Sequence, residues 1–99
     1  MFVILTSKDG QFHTEAGDHI KPVEAYDYLF YGQKKAHFVI AELNADTKIR
    51  VTDANPPHSV NLVPTKFLEK FETIDRARRE LEHLTRFGTM DTKLHRTDS

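Results

Sequence analysis

The chain has 99 residues, 38% of them hydrophobic and 29% charged, with a formal net charge of −1. These totals fit one globular domain, which at this size buries roughly two-thirds of its unfolded surface, and they argue against wholesale disorder or a global pull toward nucleic acid or anionic lipid. There is no cysteine, which excludes disulfides, a thiol nucleophile, Cys-ligated zinc and Cys-ligated iron–sulfur clusters.

In chain order, residues 1–6 read as a strand. Phe2, Val3, Ile4 and Leu5 are apolar at successive positions, so both faces of the strand should be covered. The run is shorter than the about 7–15 apolar residues of a signal peptide or the about 20 of a membrane span. No membrane association and a cytoplasmic location are expected. Asp9-Gly10 is a two-residue hairpin signal. It predicts a polar return strand over 11–15 at a sheet edge, with Phe12 beside Ser7 and His13 beside Thr6. Residues 16–22 read as a loop punctuated by Gly17 and Pro22.

The longest apolar and aromatic block is 26–43, YDYLFYGQKKAHFVIAEL. Two β-rich runs flank a polar turn near Gly32, which predicts a central hairpin. For residues 23–31 a helix stays open, with Pro22 at its start and Gly32 just past its end. Four aromatics in 26–31 favour the strand. Residues 36–43 read as a strand and 44–47 as a turn. Residues 48–53 alternate, with Ile49 and Val51 inward. Asn55-Pro56-Pro57 ends that run, and 59–63 suggests another short strand.

Residues 73–87 predict a helix. Thr73 is a good N-cap, Asp75 suits the first turn, and Gly88 is a natural stop. Ile74, Ala77, Leu81 and Leu84, extended by Phe87, fall on one face. Beyond it, Met90 and Leu94 are the only apolar side chains. The expected architecture is α+β: an antiparallel sheet of four to five strands with the helix of about 73–87 packed on one face. Residues 1–88 form the domain, and 89–99 a mobile tail.

Chemical signatures are sparse. The six histidines form no H-x-H, H-x-x-x-H or H-E-x-x-H spacing, so no metal site is expected. His13 and His37 could meet if their strands are neighbours. No nucleophile elbow or phosphate-binding loop is present, and neither a catalytic residue nor a cofactor is expected. The aromatic block offers more. Tyr26, Tyr28 and Tyr31, with Phe30, Phe38 and His37, could line a ligand pocket or a docking face, because buried tyrosines need partners and are enriched at interfaces. Ordinary core packing is the plainer account of the same residues. Lys34-Lys35 beside Tyr31 could stack on single-stranded nucleic acid. However, Glu residues alternate with the helix arginines, which suits a solvated face, and nucleic acid is not the expected partner.

The runs LFYGQKKAHFVIAEL (29–43) and VPTKFLEKFETIDRARRELEHL (63–84) resemble a group of small uncharacterised proteobacterial proteins, some labelled ferredoxin, near aromatic-compound catabolism genes. The resemblance implies an accessory role near oxidative metabolism. Its iron–sulfur part cannot apply to a chain without cysteine. The expected function is therefore a non-enzymatic binding or accessory module using the aromatic sheet surface, toward a protein partner or in a homodimer. The rivals are a small α+β-barrel-like enzyme for an aromatic substrate, with His13, His37 or a tyrosine as acid–base group, and a nucleic-acid-binding module.

Overall fold

The computed structural model describes residues 1–86 and 90–97. Seven strands form one sheet: β1 (Phe2–Lys8), β2 (Phe12–Glu15), β3 (Ile20–Phe30), β4 (Gln33–Leu43), β5 (Lys48–Asp53), β6 (Val60–Pro64) and β7 (Thr92–Thr97). Their order is β6-β5-β2-β1-β4-β3-β7, and every pairing is antiparallel. One helix, α1 (Ile74–Thr85), completes the α+β architecture.

The apolar run of β1 does need two covers. Phe2 and Ile4 pack with Ala36, Phe38, Ile40, Phe71, Ala77 and Leu81 beneath α1. Val3 and Leu5 point the other way, into a second cluster with Ile20, Ala41, Ile49, Val51, Val63 and Leu68. The β5–β6 hairpin thus folds over the face that the helix leaves open. Phe2 and Phe71 exchange backbone hydrogen bonds of 2.7 and 2.8 Å, which ties the start of β1 to the segment before the helix.

The central hairpin takes the strand alternative throughout, and β3 reaches back to Ile20 into the stretch expected to be loop. Its turn is the two residues Tyr31 and Gly32, with φ of 49° and 78°. Positive φ at both central residues is the signature of the type I′ hairpin turn. Pro22 is tolerated because it borders a bulge: Pro22 faces Ala41 and Glu24 faces Ile40, leaving Val23 unpaired. A one-residue slip reverses which face each side chain takes. Before the bulge Ile20 enters the second cluster; after it, Glu24, Tyr26 and Tyr28 face the helix side.

Several expectations are corrected. The sheet has seven strands rather than four to five. The turn after β1 uses three residues, so Phe12 stands beside Lys8 and not Ser7. The Gln11 N–H donates to the Lys8 carbonyl at 3.0 Å, and Gly10 at φ 75° occupies the third turn position, where a type II turn needs a positive φ. β2 is not an edge strand, since it lies between β1 and β5. Residues 92–97, expected within a mobile tail, form β7 along β3, from Ala25 opposite Thr97 to Phe30 opposite Thr92. Pairing with a pre-existing edge satisfies the backbone there, so no strong apolar pattern is needed.

Thr73 caps α1 as expected, its hydroxyl accepting from the Arg76 N–H at 3.2 Å. The helix ends at Thr85, with Arg86 extended; the expected roles of Phe87 and Gly88 lie outside the described residues. The buried stripe runs Ala77, Leu81, Thr85. Leu84 is 52% exposed, because the i, i+4 ridge through residue 81 passes to 85. Thr85 satisfies its hydroxyl on the Leu81 carbonyl at 2.7 Å. Leu81→Ala should cost about 2–5 kcal/mol and Leu84→Ala under about 1 kcal/mol, a contrast readable in chemical denaturation midpoints.

A buried carboxylate locks the helix side together. The Glu24 side chain is only 2% exposed. It accepts from Arg78 of α1 in a fork, Nε at 2.8 Å and Nη2 at 2.6 Å, and from the Tyr26 hydroxyl at 3.0 Å. Arg96 of β7 approaches at 3.2 Å. The hydrogen bonds from Arg78 hold the Glu24 carboxyl below its ordinary value of 4.5, against the opposing effect of burial. A carboxyl lowered in the folded state contributes stability above its unfolded pKa and loses it as pH falls through the folded pKa. Stability should therefore fall on acidification below about pH 4.5. Glu24→Gln should cost about 1–3 kcal/mol at neutral pH and flatten the acid limb of a stability–pH curve.

Candidate functional site around His37

The second face of the sheet changes character along β1, β4 and β3. One cross-strand row is Leu5–Val39–Ala25, which is apolar. The next row toward the β1–β2 turn is Ser7–His37–Asp27, with Ser7 and Asp27 each directly opposite His37. On β7, His95 stands opposite Asp27. The core thus gives way to a polar row where the sheet opens into a cleft of about 500 Å³, lined among others by Ser7, Lys8, Phe12, His13, Asp27, Lys34 and His37.

His37 Nδ1 lies 2.8 Å from Asp27 Oδ1, and Lys34 Nζ lies 3.6 Å from the same oxygen. The His37 hydrogen bond, and secondarily the Lys34 charge, hold the Asp27 carboxyl below its ordinary value, against burial. An ionised carboxylate only accepts hydrogen bonds, so His37 Nδ1–H is the donor. In the neutral ring this places the lone pair on Nε2, the tautomer suited to accept a proton or a ligand hydrogen bond. Ser7 Oγ is buried and accepts from the Thr14 N–H at 2.9 Å, which leaves its own O–H to donate.

The six residues singled out in the aromatic block do not form one surface. Phe38 is buried under the helix, and Tyr28 meets it edge-on at 6.5 Å between ring centroids. Tyr26 is half-buried, its hydroxyl spent on Glu24. Burial, and then that contact, push the Tyr26 hydroxyl above its ordinary pKa. Phe30 and Tyr31 form their own edge-on pair at 4.7 Å beside the hairpin turn. His37 alone takes the opposite face. The strands of His13 and His37 are not neighbours, because β1 lies between β2 and β4; the two side chains share only the lining of the cleft. Among the described residues, no group of three or more His, Cys, Asp or Glu side chains is arranged to hold a metal. No described helix is long and apolar enough to cross a membrane.

Ser7, Lys8 and Asp27 escaped the sequence reading. Asp27 carried one signal, an acid between two tyrosines of an apolar run. Naming its partner needed the register. A two-residue turn at Tyr31-Gly32 alone would set Asp27 opposite Ala36, and the irregularity that leaves Lys35 unpaired moves it to His37. No protein-family model, characterised protein or solved structure matches this chain.

If the His37 donor is what keeps Asp27 ionised, His37→Ala should raise the Asp27 titration midpoint toward or above the ordinary value of 3.8. Carboxylate carbon shifts followed against pH by NMR measure it, and an unchanged midpoint would refute the assignment.

Proposed function

We propose that the protein is a small-ligand-binding accessory module whose working site is the His37 cleft rather than the aromatic face of the sheet. The observation that carries this is the Asp27-oriented imidazole of His37 at one end of the cleft. The volume of about 500 Å³ lies within the usual range for small-molecule sites, about 300–1,000 Å³. Phe12 contributes an aromatic ring to the lining and Lys8 and Lys34 contribute cations, while Nε2 of His37 carries the lone pair of the neutral ring. That combination suits a small aromatic acid: ring against Phe12, carboxylate toward a lysine, ring hydroxyl to His37. The resemblance to proteins found near aromatic-catabolism genes favours the same ligand class.

One specific observation favours an enzymatic second reading. A carboxylate–imidazole pair with a buried serine in the same cross-strand row has the parts of a general base, since Asp27 orients His37 and Nε2 could take a proton from water or from Ser7. Turnover of aromatic esters that disappears in His37→Ala would establish that activity.

The binding reading is tested by thermal shift with a panel of hydroxylated aromatic acids. A true ligand at 100 times its Kd should stabilise the protein by about 2.7 kcal/mol. The gain should vanish in His37→Ala and survive in Tyr31→Ala, whose side chain does not line the cleft. A panel with no response, or a response indifferent to His37→Ala, would count against this site.

A further inference from the structure

The two edges of the sheet are built differently. β7 carries Lys93, His95 and Arg96, and charges are a usual means of keeping a strand edge from pairing with another chain. β6 reads Val-Asn-Leu-Val-Pro, with no charge from Ser59 to Thr65. Among the described residues its only strand partner is β5.

The hydrogen-bond phase of β6 shows which backbone groups face outward. Asp53 N–H donates to the Ser59 carbonyl at 2.9 Å, and Thr65 N–H to the Thr47 carbonyl at 2.8 Å. Between these pairs the register sets Ile49 opposite Val63 and Val51 opposite Asn61. Hydrogen-bonded pairs alternate along an antiparallel ladder, so the odd-numbered residues of β6 bond to β5. The N–H and C=O groups of Val60 and Leu62 then point to the free edge. Their side chains are 53% and 58% exposed, whereas Val63 packs into the second core cluster.

We infer that β6 is a self-association edge, and that its partner is β6 of a second copy of this chain, paired antiparallel about a two-fold axis at Asn61. The segment is self-complementary in that arrangement. Val60 of each copy faces Leu62 of the other, and their outward groups exchange about four N–H···O bonds. The exposed Val and Leu side chains meet across the strands on the outer surface. Asn61 stands opposite its own copy in a narrow, non-hydrogen-bonded pair. Pro64 has no N–H and ends the ladder. A two-fold contact of this kind closes on itself and does not propagate into fibres. Two short strands, with Phe67 (72% exposed) just beyond them, bury less than the about 1,600 Å² of a standard interface. The dimer should therefore be concentration-dependent. It leaves the His37 cleft free and does not rest on the ligand reading.

Sedimentation equilibrium over micromolar to millimolar concentration tests the inference. The weight-average mass should rise from one chain toward two, and Leu62→Lys, which places a charge on the free edge, should hold it at one. Far-UV circular dichroism checks that this exposed substitution leaves the fold intact. Because the chain has no cysteine, Asn61→Cys gives a clean second readout. A narrow antiparallel pair sets its Cα atoms about 4.5 Å apart, within disulfide reach, so mild oxidation should give a covalent dimer. Lys93→Cys, on the opposite edge, should not. A one-chain mass at every concentration overturns the inference. So does a dimer that Leu62→Lys leaves intact, or one that Lys93→Cys traps while Asn61→Cys does not.

Discussion

The fold depends on covering β1 and β4 twice. Both strands present apolar side chains at successive positions, so each face of the central sheet would expose a hydrophobic surface if left bare. Burying that surface is the dominant favourable term in folding. The helix meets one face through Ile74, Ala77 and Leu81. The other is met by the β5–β6 hairpin through Ile49, Val51 and Val63, with Leu68. The chain's order follows from this need: β2 leaves β1 after a single register pair and turns to β5, which lets the second half of the sheet curl over the first.

The irregularities in the β3–β4 hairpin then decide which polar groups go where. The bulge at Val23 turns Glu24 to the helix side, where it joins Arg78 of α1 and Arg96 of β7. One carboxylate thereby bonds elements far apart in sequence. Arg78 and Arg96 remain substantially exposed, so their charges stay hydrated while the buried carboxylate is satisfied by direct hydrogen bonds. The second irregularity, at Lys35, sets Asp27 opposite His37 on the other face. The two functional-looking carboxylates of β3, three residues apart, serve opposite faces: Glu24 holds the architecture, and Asp27 orients an imidazole at a cleft.

The same two-faced construction divides the most conspicuous sequence feature between separate surroundings. The aromatic side chains of the central block are largely consumed in packing or in the hairpin turn. Reactive groups appear where the second core runs out of apolar side chains, at the row Ser7–His37–Asp27. There a hydrogen bond of 2.8 Å joins His37 and Asp27 beside a cleft of about 500 Å³. No residue of β6 lines the His37 cleft, so the association and the ligand binding proposed above would use separate surfaces.

By itself the sequence determined the local features: the double-faced apolar character of residues 2–5, the strand at 48–53, the Thr73 cap and the exclusion of cysteine chemistry. These depend on short-range periodicity, capping and composition. Only the tertiary structure decided the three-residue turn after β1, the internal place of β2, the pairing of residues 92–97 with β3, and the convergence of Ser7, His37 and Asp27. Each is a matter of register between strands distant in the chain. A strand's side chains alternate with a period of two, so one bulged residue reassigns every later side chain to the opposite face. Pro22 beside the Val23 bulge is a local hint of it once the segment is known to be a strand; the irregularity at Lys35 has no such marker. The bulge at Val23 lets Ile20 enter the second cluster while Glu24 turns to the helix side, and the partners of both lie far from it in the chain.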